Sequence, residues 1–317
     1  MALNTFGGQM KKHLFLVLAS LSMAVHAFGY YDCGSGGTFC SDCFGFDSVL
    51  VFDVGGGYRN DNLKWKLHPN SDPNTKIDEK WKNIGVGTIN ADAYFLVCEH
   101  YLVKANFDYG WFSKSGHQSF NICNGTAVHH DLKSRTHGRV YDLSGGLGYQ
   151  FNFDCLHLTL APLAGYSYDF QLFKNNKYEH AETEHEGFQR LHNKYKYRWG
   201  GPWVGAAIAF QPCCDLMFFV DYNFHWANLH ADIDEKFDWH KRDARITSKK
   251  AYGNEYTVGA DYLFCDDWML GLKFNWKQFW ASRAHYKAEH HHEEGSSSVK
   301  DLNWCSYNIA LIIGYKF

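Results

Sequence analysis

From Cys305 to the last residue, every second position is apolar or aromatic: Cys305, Tyr307, Ile309, Leu311, Ile313, Tyr315 and Phe317. The residues between are small or polar, apart from Ile312. A period of two over this length predicts a β-strand with two unlike faces. The same period recurs along the chain. Tyr101, Val103, Ala105, Phe107, Tyr109 and Trp111 share one face of a strand, with Lys104, Asn106, Asp108 and Gly110 on the other. Leu216, Phe218, Val220, Tyr222, Phe224 and Trp226 repeat the pattern. Ten strands are expected, at roughly 47–67, 80–97, 101–111, 139–151, 156–171, 195–210, 216–226, 251–264, 269–280 and 302–317.

The connections alternate. Tight turns are expected at Cys98-Glu99-His100, Asn152-Phe153-Asp154-Cys155, residues 211–215 and Cys265-Asp266-Asp267. Long polar loops are expected at 68–79, 113–137, 172–194, from about 227 to 249, and from 281 to 301. A soluble sandwich would also alternate, but its outer face would carry the charges. Here the polar face is small and mixed, and the apolar face has aromatics at both ends. An even number of strands, with short turns on one side and long loops on the other, predicts an all-β fold: a ten-stranded antiparallel up-and-down transmembrane β-barrel. The strand Ile309, Leu311, Ile313, Tyr315, Phe317 closes it, and resembles the closing strand and assembly signal of bacterial outer-membrane barrels. On this plan the short turns and both termini are periplasmic. The strands exceed the roughly 9–11 residues of a tilted span, so the barrel should project beyond the bilayer.

Composition agrees with this plan. Aromatics make up 18% of the chain, which suits two interfacial girdles, and charged residues 21%, too many for a bundle of membrane helices. One apolar run stands apart: Lys11-Lys12 precede residues 13–19, and Val25-His26-Ala27 supplies small residues at a cleavage point. This predicts a secretory signal peptide over 1–27, a Cys- and Gly-rich periplasmic lead-in over 28–46, and the barrel over 47–317. The net charge of −3 gives no ground for a nucleic-acid partner, and no phosphate loop, dinucleotide or nucleic-acid motif is present. No cofactor is expected. Outer-membrane lipid, lipopolysaccharide included, is the expected surround.

There are ten cysteines. Cys98, Cys155, Cys213, Cys214 and Cys265 fall in the short turns, and Cys33, Cys40 and Cys43 in the lead-in; Cys123 and Cys305 fall on the opposite side. One C-x-x-C, Cys40 to Cys43, is a weak redox or metal signal without a helix beside it. An exported chain favours disulfides. Turns spread around a rim cannot all pair internally, since bonded Cα atoms lie within about 7 Å. Two readings stand: links to neighbouring envelope proteins, or internal pairing through the lead-in. Cys123 with Cys305 is a candidate internal bridge.

Several stretches resemble the omptin family of ten-stranded outer-membrane barrels: Leu163-Ala164-Gly165-Tyr166, Gly201-Pro202-Trp203-Val204-Gly205, Arg245-Ile246-Thr247 with Glu255-Tyr256-Thr257-Val258, and residues 307–317. That resemblance implies an Asp-x-Asp in the second loop facing an Asp-x-His in the fourth, to activate water for peptide cleavage. This second loop has no Asp-x-Asp; its acid is Asp131. The fourth has Asp234-Glu235-Lys236, with Lys where His is implied, and Asp238-Trp239-His240 restores the spacing four residues on. Asp238 and His240, with Asp234, are therefore either a displaced dyad or a solvated charge run, and the missing acids favour the second. An omptin-like shell without the acid pair, with cysteines in its turns and lead-in, is most similar to the Protochlamydia outer membrane protein family. That similarity implies an envelope reliant on disulfide-linked outer-membrane proteins.

Functionally, the sequence predicts a structural or porin-like envelope barrel disulfide-linked on its periplasmic side, with a surface endopeptidase or a loop-borne adhesin as alternatives. Ten strands leave at most a narrow pore. Lys104, Asp108, Asp142, Asp221, Glu255 and Lys273 are expected in the lumen, lining it or pairing to plug it. Most of the nineteen His, including His129-His130 and His290-His291-His292, fall in or beside the long loops. Solvation explains them better than a metal site.

Overall fold

The structure is a computed structural model. It describes residues 48–68, 75–98, 100–124, 132–180, 193–213, 215–237, 240–265, 267–289 and 296–317. The expected signal peptide and lead-in lie outside these residues, with Cys33, Cys40, Cys43, Cys214 and Asp238.

Twelve strands run in chain order: β1 (Ser48–His68), β2 (Thr75–Val97), β3 (Tyr101–Asn124), β4 (Leu132–Tyr149), β5 (Phe151–Phe153), β6 (Leu158–His180), β7 (Asn193–Cys213), β8 (Leu216–Phe237), β9 (His240–Cys265), β10 (Trp268–Ala281), β11 (Ala284–Glu289) and β12 (Ser296–Lys316). β5 continues β4 past Gln150, and β11 continues β10 past Ser282-Arg283, so the barrel has ten staves. Neighbours pair antiparallel in chain order, and β12 pairs with β1 from Val51↔Lys316 to His68↔Ser298, which closes the wall. Closure removes every free sheet edge, as a strand wall in lipid requires. No α-helix occurs among the described residues.

The ten staves, their order and the outward faces read from the sequence are those of the structure. The loop bounds are not. Residues 113–124, 132–137, 172–180 and 229–237, expected in loops, are strand. Their polarity marks a wall standing in water beyond the bilayer, where strands have no need of an apolar outer face. Phe107, Leu143, Leu147, Ile208, Val220, Leu272, Ile309 and Leu311 all point outward and are about half exposed. So contiguous an apolar band is a lipid face; a soluble sandwich would bury it. Tyr58, Trp111, Trp226, Tyr252 and Tyr307 ring its upper border, away from the short turns.

The inward face differs from a wet channel. Along β10 it reads Met269, Gly271, Lys273, Asn275, Lys277, Phe279, Ala281, and along β3 Leu102, Lys104, Asn106, Asp108, Gly110, Phe112. Each passes from apolar to charged to apolar. One buried cluster lies near the short turns, including Val51, Leu102, Leu163, Trp203, Phe219 and Met269. A larger one fills the far end, including Trp65, Trp81, Phe173, Tyr197, Trp199, Phe279 and Trp304. Trp203 needs its neighbours to be glycine: a Cβ on Gly165 or Gly146 would stand 2.6 Å from the indole. The two omptin-like motifs on β6 and β7 thus meet as one packing unit.

Candidate functional site

Between the apolar clusters lies a belt of charge. Lys277 Nζ donates to Asp142 at 3.1 Å and Asp169 at 3.0 Å, and lies 3.4 Å from Glu255. Arg59 donates to the same Asp142 at 2.7 Å and to Asp61 at 3.0 Å, with its guanidinium 5.4 Å from the centre of the Trp304 ring. Trp304 Nε1 donates to Asp61 at 3.2 Å. Lys104 pairs with Asp221 and Lys273 with Asp92. Asn90 donates to Asp108, and Asn106 to Asp92. Apart from Asp108 and Glu255, which are partly buried, these charged residues are buried, and each cation meets a carboxylate, the condition under which buried charge is tolerated.

All six lumen residues read from the sequence, Lys104, Asp108, Asp142, Asp221, Glu255 and Lys273, line one small cavity in this belt. It has ≈ 30 Å³, room for about two waters. Sequence reasoning missed Arg59, Asp61, Asp92, His225 and Lys277. The signal was there for Lys277, two positions along from Lys273 and Asn275 on one face of a strand. It was weaker for Arg59 and Asp61, which share the inward face with Leu63 and Trp65 and so look misplaced until the layers are seen.

Ser167 Oγ lies 3.0 Å from His225 Nδ1, and His225 Nε2 lies 3.3 Å from Glu255. This is the order of an acyl-transfer triad, but it sits in the filled lumen between two apolar layers with no room for a substrate. It works as a cross-brace between β6, β8 and β9.

At the far end the lumen is closed by rings. Phe279 stacks on Trp304 with centroids 5.2 Å apart, Trp199 lies 5.6 Å from Phe279, and Trp81 meets Tyr195 edge-on at 4.9 Å. Above them Gln118 donates to Glu79 and to Tyr195 Oη, and accepts from Asn175; Tyr195 Oη donates to Glu235 at 3.1 Å. Of the two expectations for the lumen charges, lining a pore or pairing to plug it, Lys104 and Lys273 follow the second, and apolar layers seal the charged belt on both sides, because ten staves leave a bore that large side chains can span.

Of the peptidase candidates, Asp234 and His240 are among the described residues and Asp238 is not. Asp234 lies on β8 with its neighbours Ile233 and Glu235 turned inward, so it belongs to the outer wall. His240 opens β9, opposite Phe237.

Of the six cysteines among the described residues, four lie at the short-turn end. Cys98 follows β2 with φ +50°, Cys155 is an exposed free thiol in the turn Asp154–Leu156, and Cys213 and Cys265 end β7 and β9. Cys123 and Cys305 do not bridge. Cys123 is in β3 opposite Lys76, and Cys305 is a free thiol in β12 opposite Asn62 of β1. With β1 and β2 between them, three strand spacings alone separate the two by at least about 14 Å, twice the reach of a disulfide.

On the outer wall above the bilayer, the Lys66 ammonium at 2.9 Å holds the Asp301 carboxyl below the usual carboxylate range, and Asp301 raises Lys66 in turn. Burial, with help from Lys174, pushes the His137 imidazole down.

The model of the Protochlamydia outer membrane protein family matches residues 53–317. The chain belongs to that family. Among solved structures it is similar to the outer membrane protease OmpT from Escherichia coli, at 14% identity and a TM-score of 0.71, covering 86% of this chain and 98% of OmpT. At that identity the likeness is one of fold. It also matches a TodX monoaromatic hydrocarbon channel variant (8% identity, TM-score 0.35, 84% and 90% covered) and a Pseudomonas aeruginosa FadL homologue (8%, 0.29, 84% and 90%). No curated protein matches it by sequence. It is an outer-membrane β-barrel of this family, with the omptin fold.

Proposed function

We propose that this barrel is a structural component of the outer membrane, neither a pore nor a peptidase. The observation that carries this is the filled lumen: two apolar layers and an ion-paired belt occupy the bore along its length. Of the structural and porin-like readings, this favours the first. We further propose that the short turns and both ends of the barrel face the periplasm, with a cleaved signal peptide over 1–27 and the lead-in over 28–46 beside them. Thiols at that rim, led by Cys155, then link the barrel to envelope proteins, while lipopolysaccharide and other outer-membrane lipid surround it.

The test is conductance of the refolded barrel in planar bilayers, with folding checked by heat-modifiable migration in gels. No stable open steps are expected. Discrete steps in the folded protein would overturn the structural reading. In the same preparation, cleavage of a basic peptide that is lost in both Asp238→Ala and His240→Ala would establish the omptin-type alternative. For the thiols, non-reducing gels of the native envelope should show Cys155-dependent high-mass species that collapse on reduction and are diminished in Cys155→Ser.

A further inference from the structure

The inward–outward alternation breaks at one height on three adjacent staves. On β9, Lys249 and Lys250 both point outward, and the inward parity changes from Ala244, Ile246, Ser248 to Ala251, Gly253. Between β10 and β11, Ser282 and Arg283 both point outward, and inward parity changes from Phe279, Ala281 to Ala284, Tyr286. On β12, Lys300 and Asp301 both point outward, Asp301 with φ +54°. These are β-bulges, each adding one residue and re-aiming a side chain. They match one another: Ala281 pairs with Ala251 below the break and His285 with Thr247 above it, so both staves gain a residue together. Hydrogen bonds hold the kink: Ser248 Oγ donates to the Arg283 carbonyl at 2.7 Å, and the Ser282 N–H donates to the Lys250 carbonyl at 3.3 Å.

The re-aimed side chains are mostly cationic. Lys249, Lys250 and Arg283 are exposed, and none has a carboxylate within ion-pair distance among the described residues. Lys300 adds a fourth positive charge, while the one acid in the row, Asp301, is taken up by Lys66. The height is also defined. Tyr252 and Trp280, with ring centroids 6.2 Å apart, lie directly below, and Trp226 beside them. Two residues along a tilted strand place the cations about 5 Å above this aromatic girdle, at the level of lipid headgroups.

We infer that the bulge row Lys249, Lys250, Arg283 and Lys300 is a docking site for the phosphate groups of an anionic glycolipid headgroup in the adjoining leaflet. Four cations converge where phosphates lie, while the lipid chains run down the apolar face of Val258, Leu270 and Leu272 below. An extra residue in each stave is what lets two cations stand side by side on β9 without turning Lys249 or Lys250 into the lumen. The inference rests on the barrel spanning a membrane, and not on a sealed lumen or on the rim thiols, so a conducting barrel would leave it standing.

The experiment titrates the full barrel, folded in zwitterionic detergent, with diphosphorylated lipid A, its dephosphorylated form, or inorganic phosphate, and reads the shift in thermal midpoint. Lys249→Gln/Lys250→Gln/Arg283→Gln is compared with an equal charge change on the opposite wall, Lys174→Gln/Lys194→Gln/Lys196→Gln, and with the charge-keeping Lys249→Arg/Lys250→Arg. Apparent affinity for the phosphorylated lipid should fall roughly 30- to 100-fold in the bulge variant, with the control and the arginine variant near wild type. Equal loss in the opposite-wall control, an unchanged bulge variant, or equal affinity for the dephosphorylated lipid would each overturn the site. A matching shift with inorganic phosphate alone would overturn the lipid assignment.

Discussion

Removing Lys277 should destabilise the barrel more than removing any other single charge. Its ammonium touches three carboxylates, Asp142, Asp169 and Glu255, at 3.0 to 3.4 Å. At an effective dielectric near 20, each contact is worth about 5 kcal/mol gross. Most of that offsets the desolvation of burying the group, and breaking a buried pair typically costs a net 3–5 kcal/mol. In Lys277→Met, Asp142 still has Arg59 at 2.7 Å and Glu255 still has His225 at 3.3 Å, so the loss falls mainly on Asp169. The double variant Lys277→Met/Asp169→Asn removes the stranded charge with its partner, and should recover most of the loss, to within about 1 kcal/mol of wild type. The assay is urea unfolding of the refolded barrel, followed by tryptophan fluorescence and heat-modifiable migration. If the single variant lies within about 1 kcal/mol of wild type, the belt is not what holds the lumen. If the double variant is no better than the single, the cost comes from lost packing of the lysine stem and not from stranded charge.

Truncating Trp304→Ala removes a ring that stacks on Phe279 and donates to Asp61; it should cost about 3–5 kcal/mol in urea unfolding and, by opening the upper layer, raise leak conductance. Gly165→Val should abolish the heat-modifiable band, because a Cβ there would stand 2.1 Å from the Gly145 carbonyl oxygen and 2.6 Å from Trp203. The Lys66–Asp301 pair gives a small pH signature. Its Asp contribution is present above the unfolded carboxylate pKa and is lost as pH falls through the depressed folded value. Its Lys contribution is present below the unfolded lysine pKa and is lost as pH rises through the raised folded value. Lys66→Ala should therefore lower the urea midpoint slightly at pH 7 and leave it unchanged at pH 2, with the exposed position keeping the effect small.

The period-two pattern by itself determined the fold class, the ten staves, the outward faces of those that alternate cleanly, such as 101–111, 216–226 and 305–317, and the identity of the short turns, while the facing of the strand at 195–210 stayed ambiguous until the structure. A lipid face and an aromatic girdle are written as types of residue at alternate positions, and no neighbour is needed to read them. Closing strand Ile309 to Phe317 was legible for that reason. So was half of the charged belt, since a Lys or Asp between outward apolar residues has only the lumen to enter. The sequence did not reveal where the strands stop, because above the bilayer a strand's outer face is as polar as a loop. Nor did it show that the bore is sealed. Trp65, Trp81, Trp199 and Trp304 lie on four different staves, and their convergence depends on barrel diameter, stagger and closure. The bulges at Lys249-Lys250, Ser282-Arg283 and Lys300-Asp301 were invisible for a related reason. A one-residue change of parity in one strand reads as a lapse of pattern, and becomes a feature only when the partner strand is seen to change with it.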